Sequence, residues 1–274
     1  MSKMKKLLLI ALAAAAVACS KSGDEAAKVN TPEGTGIVSF GVTPALVVEG
    51  TRAQVNLPEG TTIPAGGDFA LAISSTDAST GYSGDSWASV DAFNENYKKT
   101  YFKAGMYDAV ATFGDAAQEG ENKPFFKGET SYNVNARQLV NVNIPAKLAN
   151  AIVKLEFTEN FKNYFANGAQ MKITSGNGNE WSIDYENTPY IFVESGKTVT
   201  ISGQATKQRP SATVEPAVVV FDAVEKSLAP CTIYTYKYDV STAGSVSVTF
   251  SLNNEPSEEI IVSEGEELND DAIM

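Results

Sequence analysis

Side chains able to carry out chemistry are few in this sequence of 274 residues. It contains no histidine, so Ser-His-Asp and Cys-His mechanisms are excluded, together with every histidine-containing zinc site. Asp184 and Glu186 stand two residues apart in an expected strand, which would place both carboxylates on one face, the minimum for an acid–base pair. In a chain with 33 acidic residues such a spacing is common by chance. We therefore expect no enzyme activity, no cofactor and no metal site.

Cysteine is the other reactive side chain, and its two occurrences lie far apart, at Cys19 and Cys231. Cys19 follows a leader with three lysines and then twelve apolar residues. A membrane-spanning helix needs about 20 apolar residues, so this run is too short to stay in a bilayer and is typical of an export signal. Residues 16–19 resemble the bacterial lipobox, in which the cysteine is lipidated and becomes the first residue. We predict a signal peptide at residues 1–18 and lipidation of Cys19; an ordinary signal peptide cleaved at the same point is the alternative.

The residues after the cysteine are small and polar. Their composition predicts a flexible tether over residues 19–34. A lysine and paired acids soon after Cys19 resemble the surface-export signal of Bacteroides-type lipoproteins. We expect a lipid-anchored protein of the cell outer membrane, exposed at the surface, with the periplasmic face as the alternative. Once Cys19 is lipidated, Cys231 has no disulfide partner, so the fold must rest on its apolar core.

The chain is strongly acidic, with a formal net charge of −12. Removal of residues 1–18 takes away three lysines and no acid, which leaves −15. Such a surface repels nucleic acid and anionic headgroups, so neither is an expected partner. The last residues, 264–274, form an acidic tail.

Turn residues separate short runs rich in Val, Ile, Thr, Phe and Tyr, a pattern typical of antiparallel sandwiches and barrels. Residues 38–42 alternate apolar and small side chains, as a half-buried strand does. Residues 145–150 interrupt the pattern and are interpreted as the crossing between two units, while aromatic residues at helical spacing predict a short helix over 159–166. We predict an all-β protein of two tandem antiparallel β-sandwiches. Their predicted bounds are 35–147 and 148–263.

The order of several short motifs is similar to that of a known family. The motifs lie at residues 36–40, 51–53 (Thr-Arg-Ala), 103–107, 124–128, 139–142, 148–154 and 161–165. Together they resemble an uncharacterised family of Bacteroides-type surface lipoproteins, a domain of unknown function with the Thr-Arg-Ala motif, itself similar to fimbrillin and fimbrial-anchor proteins. The resemblance spans residues 34–255. It implies tandem transthyretin-like, fimbrillin-like sandwiches and a role in surface attachment or pilus building, and it implies no reaction.

The resemblance also implies a protease-processing site at Arg52 and Ala53. In fimbrillin-like subunits an arginine-specific protease cuts near such a point and removes the first strand, here the one that contains residues 38–42. The remaining groove would have unpaired backbone groups, and a strand from the next subunit could fill it. The residues of such a donor strand would be Ile260, Ile261 and Val262. The alternative is that the arginine lies in a surface loop and that the C-terminal run is an ordinary edge strand.

Aromatic side chains in loops are the candidates for glycan binding, because sugar rings stack on exposed aromatic faces. Tyr82 and Trp87 lie in a stretch rich in Gly and Ser that is expected to be a loop. Trp87 folding back onto the sandwich is the alternative. Trp181, Tyr185 and Tyr190 in the second unit are further candidates. Trp181, Ile183 and Tyr185 alternate along a predicted strand, however, and are therefore expected to line the core.

These observations predict a non-catalytic cell-surface lipoprotein with a structural or adhesive role, akin to fimbrial subunit and anchor proteins. The alternative is a surface glycan-binding protein that supports carbohydrate capture. The expected partners are the outer membrane, through the N-terminal lipid, and other surface proteins, pilus subunits or glycans.

Overall fold

The computed structural model describes residues 28–46, 55–208, 215–241, 245–253 and 255–263. We call residues 28–148 the first half and residues 150–263 the second half. The strands of the first half are β1 Thr35–Ala45, β2 Ala70–Ser74, β3 Asp85–Trp87, β4 Phe102–Lys103, β5 Gly105–Phe113, β6 Gly120–Glu121, β7 Phe126–Val134 and β8 Leu139–Leu148. The strands of the second half are β9 Asn150–Phe157, β10 Ala169–Thr174, β11 Glu180–Ile183, β12 Ile191–Glu194, β13 Thr198–Thr206, β14 Val218–Ser227, β15 Ile233–Val240, β16 Val246–Leu252 and β17 Glu255–Ser263. This strand content confirms the all-β prediction.

Helical structure in the described ranges is short. It comprises α1 Val90–Asn94, α2 Glu159–Tyr164 and 3₁₀ turns at Gly66–Asp68 and Tyr97–Lys99. The helix expected near residue 159 is confirmed as α2. Thr158 caps it, because its hydroxyl accepts a hydrogen bond from the backbone N of Phe161 at 3.1 Å, and the ring of Phe161 is buried in the second half.

Two layers enclose the core of the first half. β3, β2, β5, β7, β8, β1 and β4 pair in that order in one seven-stranded sheet, whose first four strands form one layer and whose last three form the other. Within the described ranges, β7 and β8 pair at residues 126–127 with 147–148, and beyond these pairs the two strands diverge into their separate layers. Phe40 of β1 packs across the gap on Tyr132 of β7, with 5.4 Å between ring centroids. The alternation predicted for β1 is confirmed, since Val38, Phe40 and Val42 are buried.

The expectation of purely antiparallel sheets needs correction, because each half contains a parallel pair. β1 runs parallel to β8, and β9 runs parallel to β15. Parallel strands cannot be joined by a tight hairpin, and in both pairs long stretches of chain separate the partners. Local alternation of apolar residues is the same for both directions, so the sequence could not distinguish them.

β8 continues through Pro145 to Leu148, although residues 145–150 are predicted to form the crossing between the two units. Ile37 N donates to Gln138 O, and backbone groups alternate sides along a strand. The missing N–H of Pro145 therefore lies on the side that faces away from β1, where it interrupts no bond of the β1–β8 ladder. The halves are joined by a single residue between β8 and β9, Ala149.

The second half is a sandwich of a four-stranded and a six-stranded sheet. The strand orders are β11-β10-β13-β14 and β17-β16-β15-β9-β12-β6. Its core lies between these sheets and includes the fully buried side chains of Leu155, Ile173 and Tyr236. The edge strands β14 and β17 meet on one side, where Lys226 and Glu258 form an ion pair at 3.1 Å. β11 and β6 are the edges on the other side.

The two halves are held together by backbone pairing and by apolar contacts. β6, from the first half, pairs with β12 at the edge of the six-stranded sheet. Ile152, Phe192 and Ile233 lie side by side on β9, β12 and β15, and they pack with the core of the first half together with Cys231. Their neighbours along each strand face the core of the second half. We call these four residues the junction row.

Candidate functional site

The boundary between the halves carries the most extensive polar network of the described residues. Glu119, which precedes β6, accepts hydrogen bonds from Ser175 Oγ at 2.6 Å and from Asn179 Nδ2 at 2.6 Å. It also accepts from Asn177 Nδ2 at 3.0 Å and from the backbone N of Glu194 at 2.8 Å. These residues are called the Glu119 network. The turn at residues 176–178 and the residues that flank it thus present their side chains to a carboxylate of the first half.

The charge of Glu119 is stabilised by this arrangement. Burial by itself would raise the pKa of the carboxyl group, but the hydrogen bonds from Glu194, Ser175, Asn179 and Asn177 outweigh it, and the pKa lies below its usual value. Lys197 supports the same region, since its ammonium lies 3.0 Å from a carboxylate oxygen of Glu194. Glu119 is therefore ionised at neutral pH and works as an acceptor that fixes loops rather than as a proton donor.

A cleft of about 320 Å³ opens beside the Glu119 network, between the edge strands β11 and β6. Its lining consists of Ala117, Gln118, Glu119, Lys123, Asn179, Glu180 and Trp181. The first four belong to the first half and the others to the second half. The cleft therefore exists only because the two halves meet here.

Trp181 forms the aromatic wall of this cleft, although the sequence predicted it as a core residue. Ile183, two residues along β11, is buried as expected, whereas Trp181 is half-buried and only its inner part packs on the second core. β11 is an edge strand, so the large indole extends past the sheet toward Gly120 of β6. Gly120 has φ +130°, a conformation that other residues rarely adopt. Tyr185 follows the end of β11 and donates its hydroxyl hydrogen to Phe165 O at 3.0 Å.

The two aromatic residues predicted to bind glycans lie elsewhere, on the first half. Tyr82 lies in a loop as expected, whereas Trp87 is the last residue of β3, so the loop expected at that residue is wrong. The ring of Tyr82 is 5.5 Å from the ring of Phe102, and its hydroxyl donates to Asp85 at 3.0 Å. Trp87 packs edge-on against Phe93 at 4.8 Å. Both side chains are half-buried, and both pack against the same aromatic cluster in the core of the first half. Their role in glycan binding stays a prediction.

The predicted donor strand is part of the chain's own sheet. Ile260, Ile261 and Val262 belong to β17, which pairs antiparallel with β16. Val262 is buried, Ile260 packs on the second core, and Ile261 is 61 % exposed. A role as donor stays a prediction, and it would require this strand to leave β16.

Three of the predicted site residues, Cys19, Arg52 and Ala53, lie outside the described residues. The strand that a cut after Arg52 would remove is described, and it is β1. Its loss would expose the backbone of β8 along the nine residue pairs of the β1–β8 register.

The other groups considered for chemistry have structural surroundings. Asp184 accepts hydrogen bonds from the backbone N of Glu186 and of Asn187 in a turn after β11, so the expected placement of both acids on one strand face is wrong. Cys231 is buried in the junction row, and burial raises the pKa of its thiol, which opposes nucleophilic reactivity. Within the described ranges, no cluster of three or more His, Cys, Asp or Glu residues could hold a metal ion. In the same ranges, every helix is too short or too polar to cross a membrane.

Comparisons with known proteins place the sequence in a family. The family model described as Domain of unknown function (DUF4493) matches residues 34–264, which confirms the expected resemblance to an uncharacterised family. The search of curated proteins found no match.

Solved structures give distant similarities. A candidate cell adhesion protein from Bacteroides eggerthii is 9 % identical with a TM-score of 0.43, covering 82 % of this chain and 97 % of that one. A candidate polysaccharide-binding protein from Bacteroides thetaiotaomicron is 11 % identical with a TM-score of 0.45, covering 83 % and 98 %. A fimbrial assembly protein from Parabacteroides distasonis is 9 % identical with a TM-score of 0.40, covering 71 % and 91 %.

Proposed function

We propose that this chain, which belongs to the family described as Domain of unknown function (DUF4493), is a non-catalytic lipoprotein of the cell surface with a structural or adhesive role. In this proposal Cys19 carries the lipid that anchors the protein in the outer membrane. Residues 19–34 are the tether, and the all-β halves extend from it toward the outside of the cell.

The observation that carries the proposal is the way in which the halves are joined. The backbone of β6 pairs with that of β12 across the boundary. The junction row adds buried apolar contacts, and the Glu119 network adds hydrogen bonds to a charged group. Domain closure around a ligand needs hinge residues that absorb the movement, and only Ala149 separates β8 from β9. A joint with these connections suits a protein that holds or links surfaces.

The chemistry of the chain supports the same proposal. It lacks histidine, its acidic pair at residues 184 and 186 lies in a turn, and its buried thiol has a raised pKa. The partners that we propose are the outer membrane and either other surface proteins, including pilus subunits, or glycans. Glycan capture remains the second candidate function, and the cleft at Trp181 favours it.

The anchor can be tested with the two cysteines of the chain as a matched pair. Cells that express the Cys19→Ser variant or the Cys231→Ser variant are grown with radioactive palmitate, and the protein is followed in membrane and medium fractions. We expect Cys231→Ser to remain labelled, membrane-bound and accessible to protease on intact cells. Cys19→Ser should lose the label and the membrane association. A Cys19→Ser protein that keeps both would contradict the anchor.

The adhesive role needs a separate assay on whole cells. We expect cells without the gene to lose attachment to surfaces or to one another, and a plasmid with the wild-type gene to restore it. Restoration by Cys19→Ser would show that anchoring is not required, and unchanged attachment in the deletion strain would contradict the role.

A further inference from the structure

The cleft between β11 and β6 has the features of a ligand site rather than of a gap between loops. Its volume of about 320 Å³ lies at the lower end of the range of about 300–1,000 Å³ that is usual for small-molecule sites. It lies on the open side of the second sandwich, where both sheets end, and the first half closes it on one side. A ligand of a few rings could therefore enter from solvent without a conformational change.

The indole of Trp181 offers two kinds of contact to such a ligand. The side chain is half-buried, so part of the ring is accessible from the cleft. None of the described residues accepts a hydrogen bond from its Nε1–H, and Gly120, without a side chain, leaves space next to that atom. A half-exposed tryptophan combines an apolar face with a hydrogen-bond donor, which is the combination that suits a molecule with C–H faces and hydroxyl groups.

Positively and negatively charged groups and an amide line the cleft together with the indole ring of Trp181. Gln118 supplies an amide, Lys123 an ammonium and Glu180 a carboxylate. Glu180 is held in place by Lys172, whose ammonium lies 2.8 Å from its carboxylate. The cleft therefore offers both hydrogen-bond donors and hydrogen-bond acceptors.

The floor of the cleft is fixed before any ligand arrives. Asn179, next to Glu180, donates to Glu119 at 2.6 Å, and Glu119 is held by the other members of its network. Trp181 itself is held by the pairing of β11 with β10. Because these groups lose little freedom on binding, weak individual contacts can add up to a useful affinity.

From these contacts we propose that the Trp181 cleft binds a neutral saccharide, which stacks on the indole and bonds to Gln118, Lys123 and Glu180. A neutral ligand is favoured because the chain is strongly acidic and the cleft contains two carboxylates. A peptide would need apolar pockets for its side chains, and Trp181 is the only large apolar side chain in the lining. This inference deepens the proposed adhesive role by naming what is held, and it rests on that role for its biological meaning.

The two tryptophans of the chain, one in each half, make the test direct. In the full protein purified in detergent, Trp87→Phe leaves Trp181 as the only tryptophan, and Trp181→Phe leaves Trp87. Each variant is titrated with maltohexaose, cellohexaose, xylohexaose and mannohexaose, and with polygalacturonate as an anionic control. We expect at least one neutral oligosaccharide to change the emission of Trp181 in a saturable way and to leave the emission of Trp87 unchanged.

Affinity measurements on two further variants complete the test. Trp181→Ala should weaken binding of that oligosaccharide about tenfold or more, and the exposed Lys123→Ala should weaken it by a smaller factor. The unfolding midpoint followed by tryptophan emission must be unchanged in Lys123→Ala, so that a loss of binding there cannot be a loss of folding. The proposal is overturned if no neutral oligosaccharide binds, if polygalacturonate binds as tightly, or if Trp87→Ala abolishes binding that Trp181→Ala keeps. These outcomes leave the palmitate and attachment assays unaffected, so failure of this inference is distinguishable from failure of the proposed function.

Discussion

The two halves of the molecule begin with strands in the same local position. β1 lies between the parallel strand β8 and the antiparallel strand β4, and β9 lies between the parallel strand β15 and the antiparallel strand β12. The surroundings of the two pairs differ. The outer side of β15 is covered by β16 and then β17, whereas β8 meets β7, within the described ranges, at two residue pairs.

The first strands of the two halves also differ in how the chain connects them to the rest of the molecule. β9 is held at both ends, since Ala149 ties it to β8 and α2 follows it directly. β1 follows the predicted tether and precedes the segment that contains Arg52, so one cut would separate it from the rest of the molecule. Whether β1 stays attached would therefore distinguish an anchored protein from a subunit that accepts a strand.

Loss of β1 should have the largest effect. A chain that starts at Ala53 lacks Val38, Phe40 and Val42, and burial of each such side chain stabilises a fold by about 1.5–3 kcal/mol. We expect the first half to lose its cooperative unfolding in urea, measured by Trp87 emission in a Trp181→Phe background. A chain that starts at Lys28 keeps all of β1 and is the control. Native Trp87 emission in the shorter chain would contradict the comparison.

Phe192→Ala should separate the halves. Phe192 is completely buried in the junction row, and removal of such a ring costs about 3–5 kcal/mol. We expect the unfolding transitions reported by Trp87 and Trp181 to coincide in the parent and to split in this variant. Val193→Ala, whose side chain faces the second core, is the matched control and should lower both transitions together. Coincident transitions in Phe192→Ala would mean that the junction row does not couple the halves.

Glu119→Ala should destabilise the protein by about 1–2 kcal/mol at neutral pH, because its hydrogen-bond donors lose a charged acceptor. The pKa of Glu119 in the folded protein lies below its ordinary value of 4.5, so the unfolded chain binds this proton more readily. The stabilisation is therefore complete above about pH 4.5 and is lost as the pH falls through the lower folded pKa. Urea unfolding between pH 7 and pH 3 should show this loss in the parent and in the control Glu121→Ala, and a smaller one in Glu119→Ala. Equal pH profiles would contradict the role of the network.

Two buried tyrosines should respond in opposite directions to the loss of a hydroxyl group. Tyr107 of the first half donates to Lys103 O at 3.0 Å, so Tyr107→Phe should cost about 0.5–1.5 kcal/mol. The hydroxyl of Tyr238 in the second half is buried without a partner among the described residues. Tyr238→Phe should therefore be neutral or stabilising by up to about 1 kcal/mol, since it removes an unpaired polar group. Thermal unfolding of both variants checks this, and a clear loss for Tyr238→Phe would indicate a partner for that hydroxyl.

Much of the fold could be predicted because its strands and helices follow local patterns of apolar and polar residues. The alternation at residues 38–42 predicts β1, and the aromatic spacing after Thr158 predicts α2. Each signal consists of residues that belong to the element it predicts. It can therefore be read from the sequence without knowledge of the tertiary structure.

The candidate site could not be predicted because its residues are brought together from distant parts of the chain. Glu119 lies 56 and 75 residues from Ser175 and Glu194 in sequence, and β6 is two residues long, too short for any periodic signal. Trp181 has the alternation of a core residue, and only the position of β11 at a sheet edge makes its ring accessible. Its aromatic ring makes Trp181 a glycan candidate in the sequence, but the alternation along the strand outweighs that signal.

The most direct test of the account is the N-terminus and intact mass of the protein recovered from the surface of its own cells. The account predicts one species that begins at lipidated Cys19 and retains β1 in the same polypeptide. A species that begins at Ala53, with β1 removed, would contradict the anchored form and would make the strand-accepting subunit the correct interpretation.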